Sequence, residues 1–311
     1  MKVVALAGGV GGAKMADGLA QVLSAADLTV IVNTGDDFEH FGLSISPDLD
    51  TVCYTLAGLA NPDTGWGRAD ETQNALYNVQ TLGGPTWFAL GDRDLGTHLE
   101  RTRRLQAGDS LSAITADFCS AWGVQVRVLP MSDQNVRTMV NTDQGELPFQ
   151  EYFVARACEP RVRGFRFVGV EHARPAPDVL DAIAAADLIV ICPSNPWVSI
   201  APILAVPGIR EAIAKKVVIA ISPIIGGKAI KGPAAKMFSE LGIEPSALAV
   251  AKYYKGLIRG FIFDEVDSAY STAIRELGIM PLAAATIMQD RADRARLAGQ
   301  VIEFGQSLLV K

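Results

Sequence analysis

The sequence has few of the residues that build disulfide frameworks and most metal sites. It contains four cysteines and three histidines among 311 residues, with no CxxC pair and no HxxxH pair. The four cysteines are scattered along the chain, at Cys53, Cys119, Cys158 and Cys192. This spacing argues against a disulfide framework and against structural zinc, and it predicts buried, reduced thiols.

Long apolar runs and an excess of positive charge are also missing. The longest apolar runs, 188–192 and 217–221, have the length of a strand, whereas a bilayer-spanning helix needs about 20 residues. The formal net charge is −6, from 28 basic and 34 acidic residues. We therefore expect no membrane segment and no nucleic-acid partner. Because the first apolar run leads directly into glycines, we also expect no signal peptide and a cytoplasmic protein.

What the sequence does contain is a regular alternation of strand-like and helical patterns. A short apolar run at 3–7 is followed by glycines, by helical spacing of apolar residues, and by a β-branched run at 28–32. Two further apolar runs, 188–191 and 217–221, each end in a loop rich in Gly or Pro. These features predict an α/β, Rossmann-like fold with a mostly parallel sheet covered by helices on both faces. We expect one such domain over residues 1–311.

Residues 139–171 show a different pattern. Gly145 and Glu146 are typical of a turn, with extended stretches predicted at 139–142 and 149–154 and another at 162–168. This pattern predicts a small β-rich insertion within the domain.

The glycine-rich loop at 8–14 is the first candidate site. Glycines between a strand and a helix let backbone N–H groups approach a phosphate. The loop is not a Walker A motif, because Ala13 and Met15 stand where Gly and Ser/Thr are required, and Lys14 replaces the third glycine of the dinucleotide fingerprint. An ordinary tight turn of a doubly wound fold remains the alternative. The residues expected to face a phosphate are Gly9, Gly11, Gly12 and Lys14.

Four carboxylates follow the second predicted strand, at Asp36, Asp37, Asp48 and Asp50. Hard oxygen ligands beside a phosphate loop suit Mg²⁺. Asp48 and Asp50 cannot point in the same direction on a helix. Helix capping is the alternative interpretation, and it accounts for Ser46 and Asp48 but not for Asp50.

Three other polar loops follow apolar stretches. Arg93 lies between two aspartates in a loop after a strand predicted at 87–90, so it either meets an anion or polar ligand edge or pairs with its neighbours. Ser194 and Asn195 lie in a loop after an apolar run, and both are common in turns. The loop that contains Gly226, Gly227 and Lys228 is a second candidate anion cradle. These patterns indicate a nucleotide or diphosphate ligand and leave the reaction open.

These segments, in this order, resemble the 2-phospho-L-lactate transferase family of coenzyme F420 biosynthesis. The matching stretches are GGVGGAK (8–14), NTGDD (33–37), ISPDLDTV (45–52), GWGRADET (65–72), TWFALGDRDLGTHL (86–99), LPMSD (129–133), PSNPWVSI (193–200) and SPIIGGKAIKGPAAK (222–236). The stretches 65–72 and 86–94 are most similar to the bacterial branch, called phosphoenolpyruvate transferase.

The resemblance implies a homodimer with a Rossmann-like core. It also implies a Mg²⁺-dependent transfer from a guanosine diphosphate ester to the deazaflavin Fo, with release of GMP. The ester carries phospholactate in one branch and phosphoenolpyruvate in the other. Because they match family motifs, Asp50 and Arg93 are expected at Fo.

From the resemblance we expect definite roles for the candidate residues. The glycine loop and Lys14 would bind the diphosphate, and Asp50 would bind Mg²⁺ or orient the attacking hydroxyl. Guanosine and its phosphate would be bound at Ser194, Asn195, Gly226, Gly227 and Lys228. The predicted metal ligands are Asp36, Asp37 and Asp50. Two alternatives are a nucleotide-sugar-binding regulator of the same fold and an NAD-dependent oxidoreductase, for which the fingerprint is incomplete.

Overall fold

The computed structural model of the chain describes residues 1–310. The strands, in chain order, are β1 (Val3–Ala7), β2 (Leu28–Val32), β3 (Phe38–His40), β4 (Leu43–Ile45), β5 (Arg127–Pro130), β6 (Arg137–Thr142), β7 (Gly145–Pro148), β8 (Val162–Val168), β9 (Leu188–Ile191), β10 (Val217–Ile221), β11 (Ile224–Ile225), β12 (Lys228–Ala229), β13 (Gly260–Asp264) and β14 (Met280–Ala284).

The helices, in chain order, are α1 (Gly9–Val22), α2 (Pro47–Leu56), α3 (Asn74–Thr81), α4 (Asp92–Gln106), α5 (Leu111–Ala121), α6 (Val179–Ala185), α7 (Ala201–Ala205), α8 (Ile209–Ile213), α9 (Ala234–Glu240), α10 (Ala247–Tyr253), α11 (Ser271–Glu276) and α12 (Arg291–Leu309). Among residues 1–310, none of these helices combines the length and the apolar character needed to cross a membrane.

The core is a seven-stranded parallel sheet in the order β14-β13-β10-β9-β1-β2-β5. Every residue of β1, β2, β9 and β10 is buried, as the uninterrupted apolar runs predict for strands covered on both faces. Successive side chains of β1 enter two different hydrophobic clusters: Val3 and Ala5 pack on the side of α1 and α12, and Val4 and Leu6 on the opposite side. The predicted Rossmann-like α/β fold is confirmed.

The strand order places a ligand crevice beside β1. From β1 the chain proceeds to β2 and β5 on one side, and it later builds β9, β10, β13 and β14 on the other. The direction of winding therefore changes between β1 and β9. In open α/β sheets, ligands bind at this switch point, beyond the carboxyl ends of the strands.

The β-rich insertion forms a separate antiparallel sheet in the order β7-β6-β8, within residues 137–168. One part of its prediction is wrong, because 149–154 is not extended. Glu151–Ala155 forms a short π-helical turn, closed by a hydrogen bond from Arg156 N to Glu151 O. The turn buries Tyr152 completely, so tertiary burial overrides the β propensity of this stretch.

The segment before α4 also differs from expectation. Residues 87–90 do not form a strand, and Trp87 and Phe88 pack against the Phe38 ring instead. Arg93 therefore lies in the first turn of α4, not in a loop after a strand. The Glu71 carboxylate accepts hydrogen bonds from the backbone N–H groups of Arg93 and Asp94, both at 2.8 Å, and so stabilises the start of this helix.

Candidate active site

The glycine loop packs tightly against the loop that follows β9. Ser194 Oγ accepts a hydrogen bond from Gly8 N at 3.2 Å and donates one to Gly8 O at 2.8 Å. A Cβ on Gly11 would lie 2.3 Å from Pro193 O, and one on Gly12 would lie 2.6 Å from Ser194 Oγ. These glycines thus have a packing role that brings the first-half and second-half loops together. Their role at a phosphate stays a prediction.

The first amide of α1 is bound by a carboxylate from α2. Gly9 N donates to Asp48 Oδ1 at 2.6 Å, and Asn33 Nδ2 donates to Asp48 Oδ2 at 2.9 Å. Ser46 and Pro47 occupy the N-cap and N1 positions of α2, as the capping interpretation predicts, but Ser46 makes no side-chain cap hydrogen bond, and Asp48 contacts the N-terminus of α1 instead of its own helix. Burial raises the pKa of Asp48 to about 6, against the hydrogen bonds from Asn33 and Gly9.

Asp36 is held by two neutral amide side chains. It accepts hydrogen bonds from Asn33 Nδ2 at 3.2 Å and from Gln150 Nε2 at 3.1 Å. Burial, followed by the charges of Asp48 and Asp37, raises its pKa well above the usual range. Asp36 thus has hydrogen-bond partners but no ion-pair partner among residues 1–310.

Asp37 has even fewer partners. Its Oδ2 accepts a hydrogen bond from Ser46 Oγ at 2.8 Å, whereas its Oδ1 is buried and has no hydrogen-bond partner among the described residues. Burial raises its pKa to about 7, and the charge of Arg137 only partly opposes this effect. No Lys, Arg or His within the described chain lies within 4.0 Å of Asp36, Asp37 or Asp48. We call these three residues the unpaired cluster.

Asp50 lies on another face of α2 and is paired with a cation. Arg101, from α4, donates from Nη1 to Asp50 Oδ2 at 3.0 Å and from Nη2 to Asp50 Oδ1. Both side chains are buried, with exposures of 2% for Arg101 and 6% for Asp50. Burial raises the pKa of Asp50, and the charge of Arg101 acts against that rise.

His98 and Asp94 complete this second group, which we call the paired cluster (Asp50, Asp94, His98 and Arg101). His98 Nε2 lies 3.3 Å from Asp94 Oδ2, and its Nδ1 lies 3.1 Å from Arg101 Nη1. Because arginine has only donors, Nδ1 accepts and the ring proton is on Nε2, facing Asp94. Tyr54 Oη donates to Asp94 Oδ1 at 2.7 Å.

The structure groups the predicted metal ligands differently from the prediction. Among residues 1–310, one compact set of three candidate ligands occurs, Asp50, Asp94 and His98, with ligand atoms within 4.8 Å of one another. Arg101 already places a positive charge on this set, which opposes a metal ion there. Asp36 and Asp37 belong to the other cluster, and the metal role of all three predicted ligands stays a prediction.

Among the described residues, neither Arg93 nor Lys14 forms an ion pair with a carboxylate of the two clusters. Arg93 is exposed, and within the described chain no carboxylate lies within 4.0 Å of its guanidinium, so it is available to a ligand. Lys14 is half-buried, and its Nζ donates to Met288 O at 2.7 Å. Burial lowers the pKa of Lys14, and the charges of Arg294 and Lys231 lower it further.

The remaining second-half residues have evident local roles. Asn195 Oδ1 accepts from Trp197 N at 3.0 Å and so begins the π-helical turn Pro196–Ile200. Gly226 and Gly227, with φ of +55° and +77°, form the two-residue turn of the β11–β12 hairpin, and Lys228 is exposed just after it. Guanosine or phosphate binding by these residues stays a prediction.

Sequence reasoning missed the importance of Arg101, His98 and Tyr54. The spacing of Asp94, His98 and Arg101 (i, i+4, i+7) places them on one face of a helix, and this signal was available. The prediction of a loop after a strand at 91–94 conceals this helical spacing, because α4 already begins at Asp92.

The fold and the site together define a Rossmann-like α/β protein with a cluster of buried carboxylates at the switch point of its sheet. A family model described as 2-phospho-L-lactate transferase CofD matches residues 3–296. The chain belongs to this family of coenzyme F420 biosynthesis and is a transferase, which confirms the resemblance drawn from its motifs.

Named relatives agree with this assignment, and a solved structure agrees with the fold. The chain is 46% identical over 316 residues to the phosphoenolpyruvate transferase of Streptomyces griseus, with 99% of both chains covered. It is 39% identical over 301 residues to the 2-phospho-L-lactate transferase of Methanosarcina mazei, covering 97% of this chain and 99% of that one. A crystal structure of a upf0052 family protein from Bacillus halodurans has a TM-score of 0.64 at 16% identity, covering 97% of this chain and 98% of the other, and supports the fold alone.

Proposed function

We propose that the protein transfers a phosphoenolpyruvyl group, or its 2-phospho-L-lactyl counterpart, from a guanosine diphosphate ester to the terminal ribityl hydroxyl of Fo. GMP is released, and the product is the (dehydro) form of coenzyme F420-0. The observation that carries this proposal is the agreement over 99% of both chains with relatives named phosphoenolpyruvate transferase, at 44–46% identity for the five most similar that we compared. Relatives of both names occur at 39% identity, two named 2-phospho-L-lactate transferase and one named phosphoenolpyruvate transferase, so the enolpyruvyl donor rests on the five matches at 44–46%.

We assign Mg²⁺ to two carboxylates of the unpaired cluster, although its three members do not form a compact set of three ligands among the described residues. Magnesium prefers oxygen ligands and is usually held by one or two carboxylates together with water and substrate phosphates. Asp37 has a buried carboxylate oxygen with no hydrogen-bond partner, and Asp36 beside it has no ion-pair partner in the described chain. Asp37 and Asp36 would hold the ion, which would supply charge neutralisation to the diphosphate. Asp50 fits less well because both of its oxygens accept from Arg101.

In-line transfer requires the hydroxyl of Fo to approach the phosphorus that bears the three-carbon acid, on the side opposite the GMP leaving group. We assign Asp50 to the attacking hydroxyl, as an acceptor that fixes its orientation. Arg93, exposed at the start of α4 on the same helix as Arg101, would contact Fo. The N-terminal turn of α1 and Lys14 would contact the diphosphate.

The guanosine side of the crevice would be formed by the second-half loops. Ser194 is fixed to Gly8 by two hydrogen bonds, so the loop after β9 and the glycine loop form one rigid wall. Asn195 continues this wall, and Gly226, Gly227 and Lys228 lie on the hairpin after β10. Two copies of the chain would form the active enzyme, as the family resemblance implies.

The test is a reaction of the purified protein with Fo, Mg²⁺ and both guanosine diphosphate esters in equal amounts, analysed by mass spectrometry. The expected products are GMP and the dehydro coenzyme, two hydrogens lighter than the saturated product. The saturated product would assign the lactyl donor instead. Absence of both products from folded protein would contradict a transferase and favour a non-catalytic, nucleotide-sugar-binding protein of the same fold.

A variant tests the role of Asp50 in this reaction. Asp50→Ala should reduce transfer by more than tenfold, a change of about 1.4 kcal/mol in the barrier. The matched control is Asp181→Ala, an exposed aspartate on α6. Transfer by Asp50→Ala within tenfold of the wild type would remove Asp50 from the reacting groups.

A further inference from the structure

Arg101 is an unusual arginine because it is completely enclosed by the protein. It is 2% exposed, and its guanidinium lies 5.9 Å from the centre of the Phe118 ring. A buried guanidinium is costly unless it is paired and hydrogen-bonded. The hydrogen-bond partners of Arg101 therefore indicate its structural role.

The contacts converge on one carboxylate. Both terminal nitrogens of Arg101 donate to Asp50, one to each oxygen, which is the two-pronged geometry that arginine forms and lysine cannot. The two residues are 51 positions apart and join α2 to α4. This contact fixes the plane of the Asp50 carboxylate, not only its distance.

Arg101 is itself held in place on the other side. Its Nη1 lies 3.1 Å from His98 Nδ1 and 3.4 Å from Ser44 O. His98 is in turn fixed next to Asp94, which accepts a hydrogen bond from Tyr54. The guanidinium is thus restrained by groups on α4, α2 and β4, and it has one orientation relative to Asp50.

We propose that Arg101 is a positioning residue for the acceptor substrate, which fixes the Asp50 carboxylate in the orientation that contacts the ribityl hydroxyl of Fo. This inference rests on the proposed function. It extends that function by assigning acceptor orientation to a residue that does not itself face the crevice. Because the donor ester is assigned to α1 and to the second-half loops, we expect Arg101 to affect binding of the acceptor selectively.

The test uses Arg101→Lys, which keeps the positive charge but cannot donate from two nitrogens to both oxygens of Asp50. We expect kcat/KM for Fo to fall by at least tenfold, while KM for the guanosine diphosphate ester stays within twofold. The matched control is Arg103→Lys on the same helix, an exposed residue paired with Glu100, which should stay within twofold for both substrates. Equal losses for both substrates, or no loss, would overturn the proposal.

A double-variant cycle separates positioning from a general structural effect. Fo binding is measured by fluorescence of the deazaflavin for the wild type, Arg101→Lys, Asp50→Asn and the double variant, with circular dichroism to verify folding. We expect Arg101→Lys to weaken Fo binding in the wild type and to change it less than twofold when Asp50 is already Asn. Additive losses would show that Arg101 acts independently of Asp50. Absence of Fo binding by the wild type would instead contradict the proposed function.

Discussion

Asp48 and Asp50 are two residues apart on one helix, yet their surroundings differ fundamentally. Asp48 turns towards the N-terminus of α1 and, with Asp36 and Asp37, has only neutral hydrogen-bond donors near its oxygens. Asp50 turns towards α4 and is bound by both prongs of a buried guanidinium. The first arrangement has no directly paired counter-charge, since the charges of Arg137 and Arg101 act on Asp37 without an ion pair, and the second provides a paired counter-charge internally.

This difference separates two tasks that a phosphoryl-type transfer requires. Carboxylates without a cation are costly to ionise in the apo-protein and become favourable when a divalent cation arrives. A carboxylate with its own arginine is already charge-paired and oriented, so it can accept a hydrogen bond from a substrate hydroxyl. We therefore assign metal binding to the unpaired cluster, and orientation of the acceptor hydroxyl to the paired cluster.

The largest expected effect comes from breaking the paired cluster. Arg101→Met leaves Asp50 buried without its cation and should lower the free energy of unfolding by about 3–5 kcal/mol, measured by urea denaturation. Adding Asp50→Asn to Arg101→Met should recover part of this loss, because the isolated charge is removed. A loss below about 1 kcal/mol in the single variant would show that the ion pair is not the buried contact described above.

The unpaired cluster should make the apo-protein less stable as pH rises. The pKa of Asp37 in the folded protein, about 7, lies above its ordinary value of 3.8. The stability that protonated Asp37 contributes is therefore fully present below about pH 4 and is lost as pH rises through 7, a change on the order of 4 kcal/mol. Urea denaturation in EDTA from pH 5 to pH 8 measures this slope. Asp37→Asn should flatten it, and an unchanged slope in that variant would contradict the assignment.

A smaller effect in the opposite direction is expected from Asp37→Asn at one pH. At pH 8 in EDTA, the variant should be more stable than the wild type by about 2 kcal/mol, because the ionised carboxylate is no longer buried. The same variant should lose at least tenfold in transfer activity. Asp181→Asn, an exposed change, should alter neither quantity. Destabilisation by Asp37→Asn would indicate that the buried charge of Asp37 is stabilised by its surroundings, which would contradict this prediction.

The smallest effect is expected where the glycine loop contacts the loop after β9. Ser194→Ala removes the two hydrogen bonds to Gly8 and should cost about 1–2 kcal/mol of stability. Ser239→Ala, which removes an exposed helix hydrogen bond, is the control. Thermal denaturation compares the two variants. Equal shifts in Tm would show that the Ser194 hydrogen bonds stabilise the fold no more than an exposed helix hydrogen bond does.

Much of the fold could be predicted because buried parallel strands leave uninterrupted apolar runs, as in β1, β9 and β10. The candidate site is predicted from the loops after those strands, and the binding roles of its residues stay predictions. The pairing of Asp50 with Arg101 could not be predicted from local pattern, because it depends on how α2 packs against α4. Likewise, the contact of Asp48 with Gly9 joins two helices, whereas the sequence pattern favoured capping within one. The π-helical turn at Glu151–Ala155 was missed because burial of Tyr152 determines it.

The most direct test of this account locates the metal. Mn²⁺ is used as a paramagnetic substitute for Mg²⁺, and its binding in the presence of GDP is followed by electron paramagnetic resonance for the wild type, Asp37→Asn and Asp50→Asn. We expect Asp37→Asn to weaken Mn²⁺ binding at least tenfold and Asp50→Asn to leave it within threefold of the wild type. The reverse pattern, with binding lost in Asp50→Asn and retained in Asp37→Asn, would place the metal in the paired cluster and contradict the division of tasks.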